Sequence, residues 1–169
     1  MSRDENHQTG PGWRCSSCEK LIRNVEHGWV EWLACPDETG VANLRGVRLV
    51  HGRTGQEARG CQYDSRLEFR KDRSIVEGLP LERFVGVDGL VLLLSFLAAD
   101  EMPRDEVLEL AKRVQVPGYE LTHELFHAAI AGGVFTPSIA DGYYLQSEIW
   151  SLFRWASEQA KSAGLKVQP

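Results

Sequence analysis

The first half of the chain carries apolar and polar positions at the spacing of β-strands. Residues 28–34 (GWVEWLA) are rich in β-branched and aromatic side chains, and turn residues follow at 35–40 (CPDETG). Along residues 44–51, alternate side chains up to His51 share one largely apolar face. The pattern predicts a β-hairpin whose second strand ends at His51. A further strand is predicted in the charged stretch from Tyr63 to Arg73.

The second half of the chain carries apolar residues at helical spacing. The predicted helices run from about Gly89 to Ala99 after a capping Asp88, onward from Pro103, from Tyr119 to Ile130, and from the approach at Asp141 to Gly164. Leu79-Pro80 marks the boundary with the first half, because proline disfavours the continuation of a regular element. The predicted fold class is therefore α+β.

The length of 169 residues suffices for one ordinary domain or two small ones. The two patterns divide the chain into a short series of segments. They are a disordered N-terminus (1–12), a β-hairpin module (13–79), a helical domain packed against it (80–164) and a tail (165–169).

Four residues of the first half have side chains that bind soft metal ions. Cys15 and Cys18 form a Cys-x-x-Cys knuckle, which presents two thiolates to one cation, while His51 ends the hairpin and Cys61 follows in a glycine-rich loop. Together they would complete a Cys₃His site with no open position, so we predict a structural zinc. The spacing leaves Cys35 as a possible replacement for His51 or Cys61.

A closed zinc site predicts a module of zinc-ribbon or treble-clef type. The cation would supply folding energy to a segment with too little core to fold alone. Two alternatives remain for the Cys15–Cys18 pair, a redox dithiol and a chance pair. A thioredoxin-like dithiol needs a βαβ context, and no such pattern surrounds the motif.

A second metal-binding pattern lies in the predicted third helix. His123 and His127 are four residues apart, so both imidazoles share a helix face, and Glu124 stands where a general base would act on metal-bound water. The segment LTHELFHA resembles the active-site helix of zincin metallopeptidases, and Glu148 follows at the distance typical of the third ligand in gluzincins. The resemblance implies a peptidase with ligands His123, His127 and Glu148 and base Glu124. The alternative is a solvated helix face.

Most of residues 13–135 also resembles a group of uncharacterised bacterial proteins. The resemblance rests on the Cys-x-x-Cys, the Gly-Trp hairpin ending near Val50-His51, the later cysteine, and the segments DGL at 88–90, PGYE at 117–120 and GVF at 133–135. It implies an architecture, a zinc-ribbon or treble-clef-like module followed by helices, and no particular reaction. In that group the two histidines of the third helix are not a fixed feature.

Charge argues against a protein built to coat nucleic acid. The net charge is −5, and residues 80–169 account for all of it. Basic residues outnumber acidic ones from Arg45 to Arg73, which indicates either a solvated hairpin surface or a basic stripe. The second and third helices resemble a helix-turn-helix, but the third offers Glu120 and Glu124 where a recognition helix offers cations. A nucleic-acid-binding regulator is therefore the third hypothesis.

The predicted location is cytoplasmic, with no membrane partner. The N-terminus lacks the apolar core of a signal peptide, and the longest apolar run, Leu90–Ala99, is shorter than the ~20 residues of a membrane span. The function predicted first is a zinc-binding module for protein interaction or scaffolding; whether the protein is an enzyme is left open, and the non-enzymatic interpretation is favoured. A small zinc metallopeptidase is the alternative, and a protein partner is favoured over nucleic acid.

Overall fold

A computed structural model of the chain describes residues 12–53, 60–134, 136–140 and 142–162. As predicted, the fold class is α+β, with small antiparallel sheets in the first half and helices in the second. The strands are β1 (Trp13–Arg14), β2 (Leu21–Ile22), β3 (Gly28–Pro36), β4 (Ala42–His51) and β5 (Ile75–Pro80). The α-helices are α1 (Ser65–Asp72), α2 (Gly86–Ala99), α3 (Arg104–Gln115), α4 (Tyr119–Thr122), α5 (Phe126–Ala131) and α6 (Gln146–Ser162). Short 3₁₀ turns span Val25–His27, Leu81–Arg83 and His123–Leu125.

The predicted hairpin is formed by β3 and β4. Their antiparallel register pairs Gly28 with His51 at the open end. β5 pairs with the other edge of β3, so the strand order is β4-β3-β5. β3 is thus the central strand, and residues 30–34 are all buried. This position explains why β3 is apolar on both faces rather than strictly alternating.

A β-bulge bends β4 in the middle of the hairpin. Glu31 pairs with Arg48, but Leu33 pairs with Arg45, so β4 has one extra residue opposite β3. Gly46 lies in this bulge with a φ of 68°, a conformation that favours glycine. The adjacent Val47 N–H, displaced from the ladder, donates to a carboxylate oxygen of Glu106 on α3 at 2.7 Å. The bulge therefore also ties the sheet to a helix.

The prediction of a strand from Tyr63 to Arg73 is wrong, because this stretch forms helix α1. Asp64 caps the helix by accepting hydrogen bonds from the backbone N–H groups of Arg66 and Leu67 at 2.9 and 3.0 Å. Arg73, with a φ of 67°, ends it. The next strand in the chain is β5, which begins at Ile75 and ends at Pro80. Proline is tolerated there because β5 lies at the edge of the sheet.

The predicted helices are present with two corrections. Asp88 lies in the first turn of α2 and does not cap it, because α2 begins earlier, at Gly86. The single helix predicted from Tyr119 to Ile130 is divided into α4, a 3₁₀ turn and α5. The predicted end of the last helix at Gly164 lies outside the described residues.

The described chain forms two compact units, divided between Gln115 and Val116. In the first unit, Leu93 of α2 and Val107 of α3 belong to the same buried cluster as Val30 and Leu49 of the sheet. The boundary predicted at Leu79-Pro80 therefore lies inside this unit. The second unit has a core of its own, made by Tyr119, Phe126, Ala129, Ile149 and Leu152. The predicted disordered N-terminus, apart from Gly12, and the predicted tail lie outside the described residues. Within the described part, no helix is long and apolar enough to cross a bilayer.

Candidate metal centre

Cys15 and Cys18 lie in the tight turn that joins β1 to β2. The turn is closed by two backbone hydrogen bonds, from Cys15 N–H to the Lys20 carbonyl and from Glu19 N–H to the Cys15 carbonyl, both 2.9 Å. Glu19 adopts a left-handed φ of 62°, which turns the chain back toward β2. The Ser17 N–H points at the Cys15 Sγ at 3.4 Å. Local backbone bonding thus brings both thiols to one side of the turn.

Contacts with β4 and α3 hold this knuckle in place. Ser16 N–H donates to the Leu49 carbonyl of β4 at 2.8 Å. From α3, the Arg113 guanidinium donates to Ser16 Oγ at 3.0 Å and to the Arg14 carbonyl at 2.5 Å. Because Leu49 is two residues before His51, these contacts place the knuckle beside the end of β4.

The other two residues arrive from the end of β4 and from the segment that follows it. His51 pairs with Gly28 as the last residue of β4, and the next N–H, of Gly52, donates to the His27 carbonyl at 2.7 Å. The carbonyl of Cys61 accepts a hydrogen bond from Arg48 Nη2 at 3.1 Å. Each chain segment is therefore anchored by a contact that does not involve the candidate ligand side chain.

The four predicted residues converge on one point. One ligand atom from each of Cys15, Cys18, His51 and Cys61 lies within 4.8 Å of the others. His51 Nδ1 is 3.5 Å from Cys18 Sγ and 3.8 Å from Cys61 Sγ. Three of the side chains are buried and Cys18 is half-buried. Such a cluster could hold a metal ion.

The protein environment sets different proton affinities for the thiols. Burial raises the pKa of Cys15, but the N–H groups of Cys18 and Ser17 and contact with His51 outweigh it and lower that pKa to about 6. Burial, together with Cys18 and the negative charge on Cys15, raises the pKa of Cys61 to about 12. One thiolate is thus ready at neutral pH, and a metal ion would displace the proton of Cys61.

Cys35 does not join the cluster. It lies on β3 rather than in the predicted turn, opposite Asn43 of β4. Its half-buried Sγ donates to the Asp72 carbonyl at 3.6 Å. The alternative that Cys35 replaces His51 or Cys61 therefore has no support in the geometry.

The residues of the zincin-like segment are not brought together. His123 lies in the 3₁₀ turn and His127 in α5, and both are exposed. Because the 3₁₀ turn begins at His123 itself, the two histidines do not have the alignment that a four-residue spacing gives in a regular α-helix. Among the described residues, His123, His127 and Glu148 form no group comparable to the cysteine cluster. The Glu124 side chain lies outside what the structure describes.

Glu148 has a structural task at the start of α6. Its Oε1 accepts hydrogen bonds from the Ser138 N–H and Oγ at 2.8 and 2.7 Å, and its Oε2 accepts from the Leu145 N–H at 2.7 Å. Burial raises the pKa of Glu148, but these hydrogen bonds outweigh it, and the net shift is downward. Both carboxylate oxygens are therefore engaged in closing the turn before α6.

Several cations of the predicted basic stripe are paired with carboxylates. Arg48 contacts Glu31 at 2.7 Å and Lys71 contacts Glu68 at 2.8 Å, while Arg45 pairs with Asp72. The predicted stripe residue Arg59 lies outside the described part of the chain. This pairing reduces the free positive charge that a phosphate backbone would require.

Sequence reasoning missed the role of the buried Glu31–Arg48 pair. Glu31 is 1% exposed, and its Oε1 accepts from Arg48 and from the Tyr63 N–H at 2.9 Å. Because Arg48 also holds the Cys61 carbonyl, the pair anchors residues 61–63 to the sheet. A lone glutamate inside the apolar run GWVEWLA was the available signal.

Comparison of the chain with protein-family models, curated proteins and solved structures finds no match.

Proposed function

We propose that this protein is a zinc-binding module for protein interaction or scaffolding, in which Cys15, Cys18, His51 and Cys61 hold a structural zinc. The observation that carries the proposal is the convergence of three thiols and one imidazole within 4.8 Å. A thiolate and an imidazole nitrogen bound to one tetrahedral zinc are about 3.6 Å apart, from the usual Zn–S and Zn–N bond lengths. The sulfur-to-Nδ1 separations of 3.5 and 3.8 Å agree with that value.

The donor set favours zinc and a structural role. Thiolate-rich tetrahedral sites are typical of zinc, and all four positions are filled by protein side chains, so no position is left for substrate. The ion would join the β1–β2 knuckle to the end of β4, segments far apart in the sequence, as in zinc-ribbon and treble-clef modules. A cytoplasmic location, where thiols stay reduced, is part of the proposal.

Elemental analysis of the purified protein tests the zinc site. We expect one zinc per chain, and loss of most of it in Cys15→Ser and Cys61→Ser. Cys35→Ser is the matched control, since this thiol lies outside the cluster. Zinc that survives both cluster substitutions, or that disappears in Cys35→Ser, would refute the site. A second zinc lost in His123→Ala would instead support the peptidase alternative.

An exposed apolar face on α2 supports a protein partner. Val87, Leu90, Val91 and Leu94 are 76%, 42%, 59% and 53% exposed and recur at the spacing of one helix face. Asp88 is the one charged residue in α2. An apolar helix face of this kind is typical of helix-in-groove protein recognition rather than of nucleic-acid binding.

Charge substitutions on this face test the partner class. Val91→Glu with Leu94→Glu is expected to abolish association with whatever protein the wild-type chain binds, including a second copy of itself. Val41→Glu is the control, because Val41 is an equally exposed apolar residue (61%) outside α2. Conversely, salt-dependent binding to duplex or single-stranded nucleic acid that weakens in Arg70→Glu would favour the nucleic-acid hypothesis.

A further inference from the structure

A cavity of about 600 Å³ opens on the first unit, next to the metal centre but separate from its ligands. Its floor is formed by Trp29 and Glu31 of β3 and by their register partners Pro80 and Gly78 of β5. A Cβ at Gly78 would lie 2.4 Å from Trp29 Nε1, so glycine is what allows the indole to lie across β5. The volume is typical of a small-molecule site.

The lining combines aromatic surface with negative charge. Among the described residues that line the cavity, Glu26, Glu31 and Glu82 supply carboxylates and Arg53 supplies the single guanidinium. Glu77 also lines it, but its carboxylate accepts a hydrogen bond from Trp32 Nε1 at 3.1 Å. Arg53 Nε is in addition hydrogen-bonded to Gln62 at 2.7 Å. An excess of carboxylates beside an indole favours a cation, which gains from both the charges and the ring face.

One carboxylate oxygen of Glu31 lacks a hydrogen-bond partner. All the side-chain hydrogen bonds that the structure gives Glu31 go to Oε1, from Arg48 and from the Tyr63 N–H. Oε2 is buried and has no hydrogen-bond partner within the described residues. Buried carboxylate oxygens are normally hydrogen-bonded, because an unpaired one carries an uncompensated desolvation cost. A donor that reaches Oε2 from the cavity would remove that cost.

We propose that this cavity binds a small organic cation whose N–H group donates to Glu31 Oε2 and whose apolar body packs on Trp29. Ammonium, amidinium and guanidinium groups all have the required chemistry. The cation belongs either to a free amine or guanidine compound or to a lysine or arginine side chain of a partner.

Calorimetric titration of the full-length protein with three molecules of one shape tests the proposal. Benzamidine is a cation, benzamide its neutral isostere and benzoate the anion. We expect saturable benzamidine binding that shifts the Trp29 indole N–H signal in NMR spectra, identified by its loss in Trp29→Phe. Benzamide should bind about tenfold more weakly or worse, and benzoate should not bind. Equal affinities for benzamidine and benzamide, or no saturable benzamidine binding in the millimolar range, would overturn the proposal.

Variants locate the site. Glu31→Gln should weaken benzamidine binding about tenfold. If this buried substitution prevents folding, the exposed rim pair Glu26→Gln with Glu82→Gln decides, with an expected loss of several-fold for benzamidine and none for benzamide. Glu38→Gln with Glu101→Gln removes the same charge from exposed residues that do not line the cavity, and should change nothing. An equal loss in this control pair would contradict the proposed site.

Capped amino acids distinguish the two sources of the cation. N-acetyl-arginine and N-acetyl-lysine methylamides present the side chain as a partner protein would. Tighter binding of these compounds than of free guanidines and amines of equal size assigns the site to a partner's side chain, and the reverse order assigns it to a free metabolite. Metal content is measured for every variant, so that loss of cation binding is not mistaken for loss of the metal centre.

Discussion

Two ion pairs that each contain an arginine of β4 are expected to differ greatly in their contribution to the free energy of unfolding. They are Arg48–Glu31 and Arg45–Asp72. Arg48 is 23% exposed and Glu31 1%, whereas the side chains of Arg45 and Asp72 are 49% and 33% exposed. Arg48→Met leaves the Glu31 carboxylate buried without its cation, which costs about 3–5 kcal/mol. Arg45→Met removes a solvated pair and should cost about 0–1 kcal/mol. Denaturant unfolding of the metal-loaded protein measures both free energies.

The same substitution should weaken metal binding, because Arg48 does more than pair with Glu31. Its Nη2 donates to the Cys61 carbonyl at 3.1 Å, and its guanidinium lies 3.4 Å from the centroid of the Tyr63 ring. Without these contacts the segment that supplies Cys61 loses its anchor. The loss of zinc affinity should be about 10–100-fold, the range found when outer contacts of metal ligands are removed. Competition with a chromophoric chelator measures it.

A double substitution separates the buried charge from the lost contacts. Glu31→Met added to Arg48→Met removes the uncompensated carboxylate, so much of the lost unfolding free energy should return. Zinc affinity should not return with it, since the contact with Cys61 is still missing. The reasoning fails if Arg48→Met costs no more than Arg45→Met, or if the double variant is no more stable than Arg48→Met alone.

Three further predictions concern the metal centre, the bulge and α6. Zinc affinity should rise with pH by about tenfold per pH unit for each proton released, because Cys61, with its pKa of about 12, is protonated before metal binding. Chelator competition between pH 6.5 and 7.5, roughly the neutral range, measures this slope. An affinity that does not change with pH would contradict the prediction. Gly46→Ala should lower the free energy of unfolding by about 1–2 kcal/mol. The loss should exceed that of Gly40→Ala, because a Cβ at Gly46 would lie 2.9 Å from the Tyr63 hydroxyl, while nothing lies within 4 Å of a Cβ at Gly40. Denaturant unfolding of the two variants compares these losses. Glu148→Ala should destabilise the second unit by about 1 kcal/mol and leave the zinc content unchanged. If Glu148 were a ligand of a gluzincin site, the variant would lose zinc. Thermal unfolding measures the stability, and elemental analysis measures the zinc content.

Local sequence patterns were sufficient for the hairpin and for the candidate ligands. Strands β3 and β4 follow from a dense run of β-formers, a turn and an alternating return strand, all of which depend on near neighbours. The Cys-x-x-Cys knuckle is equally local, and His51 could be placed because an alternating strand decides the face of its last residue. Cys61 could be selected only because cysteine is a metal-binding residue type. Its distance from the knuckle depends on the fold of the whole intervening chain, which local patterns do not determine.

The errors occurred where side-chain contacts decide between elements of similar propensity. Residues 63–73 carry apolar and charged side chains compatible with a strand, yet Asp64 caps them as a helix. The zincin-like spacing assumed a continuous helix, which the 3₁₀ turn at His123–Leu125 interrupts. Glu148 matched a ligand position by sequence distance, but it is hydrogen-bonded to Ser138 and Leu145.

The amino-acid sequence by itself determined the α+β class, the hairpin and a set of four candidate ligands for a soft metal ion, because these depend on residue type and short-range periodicity. The tertiary structure alone decided which cysteine stays outside the cluster, and that Glu31 and Arg48 support Cys61. It alone also produced the acidic cavity on Trp29. Those features depend on strand register and on packing between distant segments, where a shift of a single residue would exchange one face of the sheet for the other.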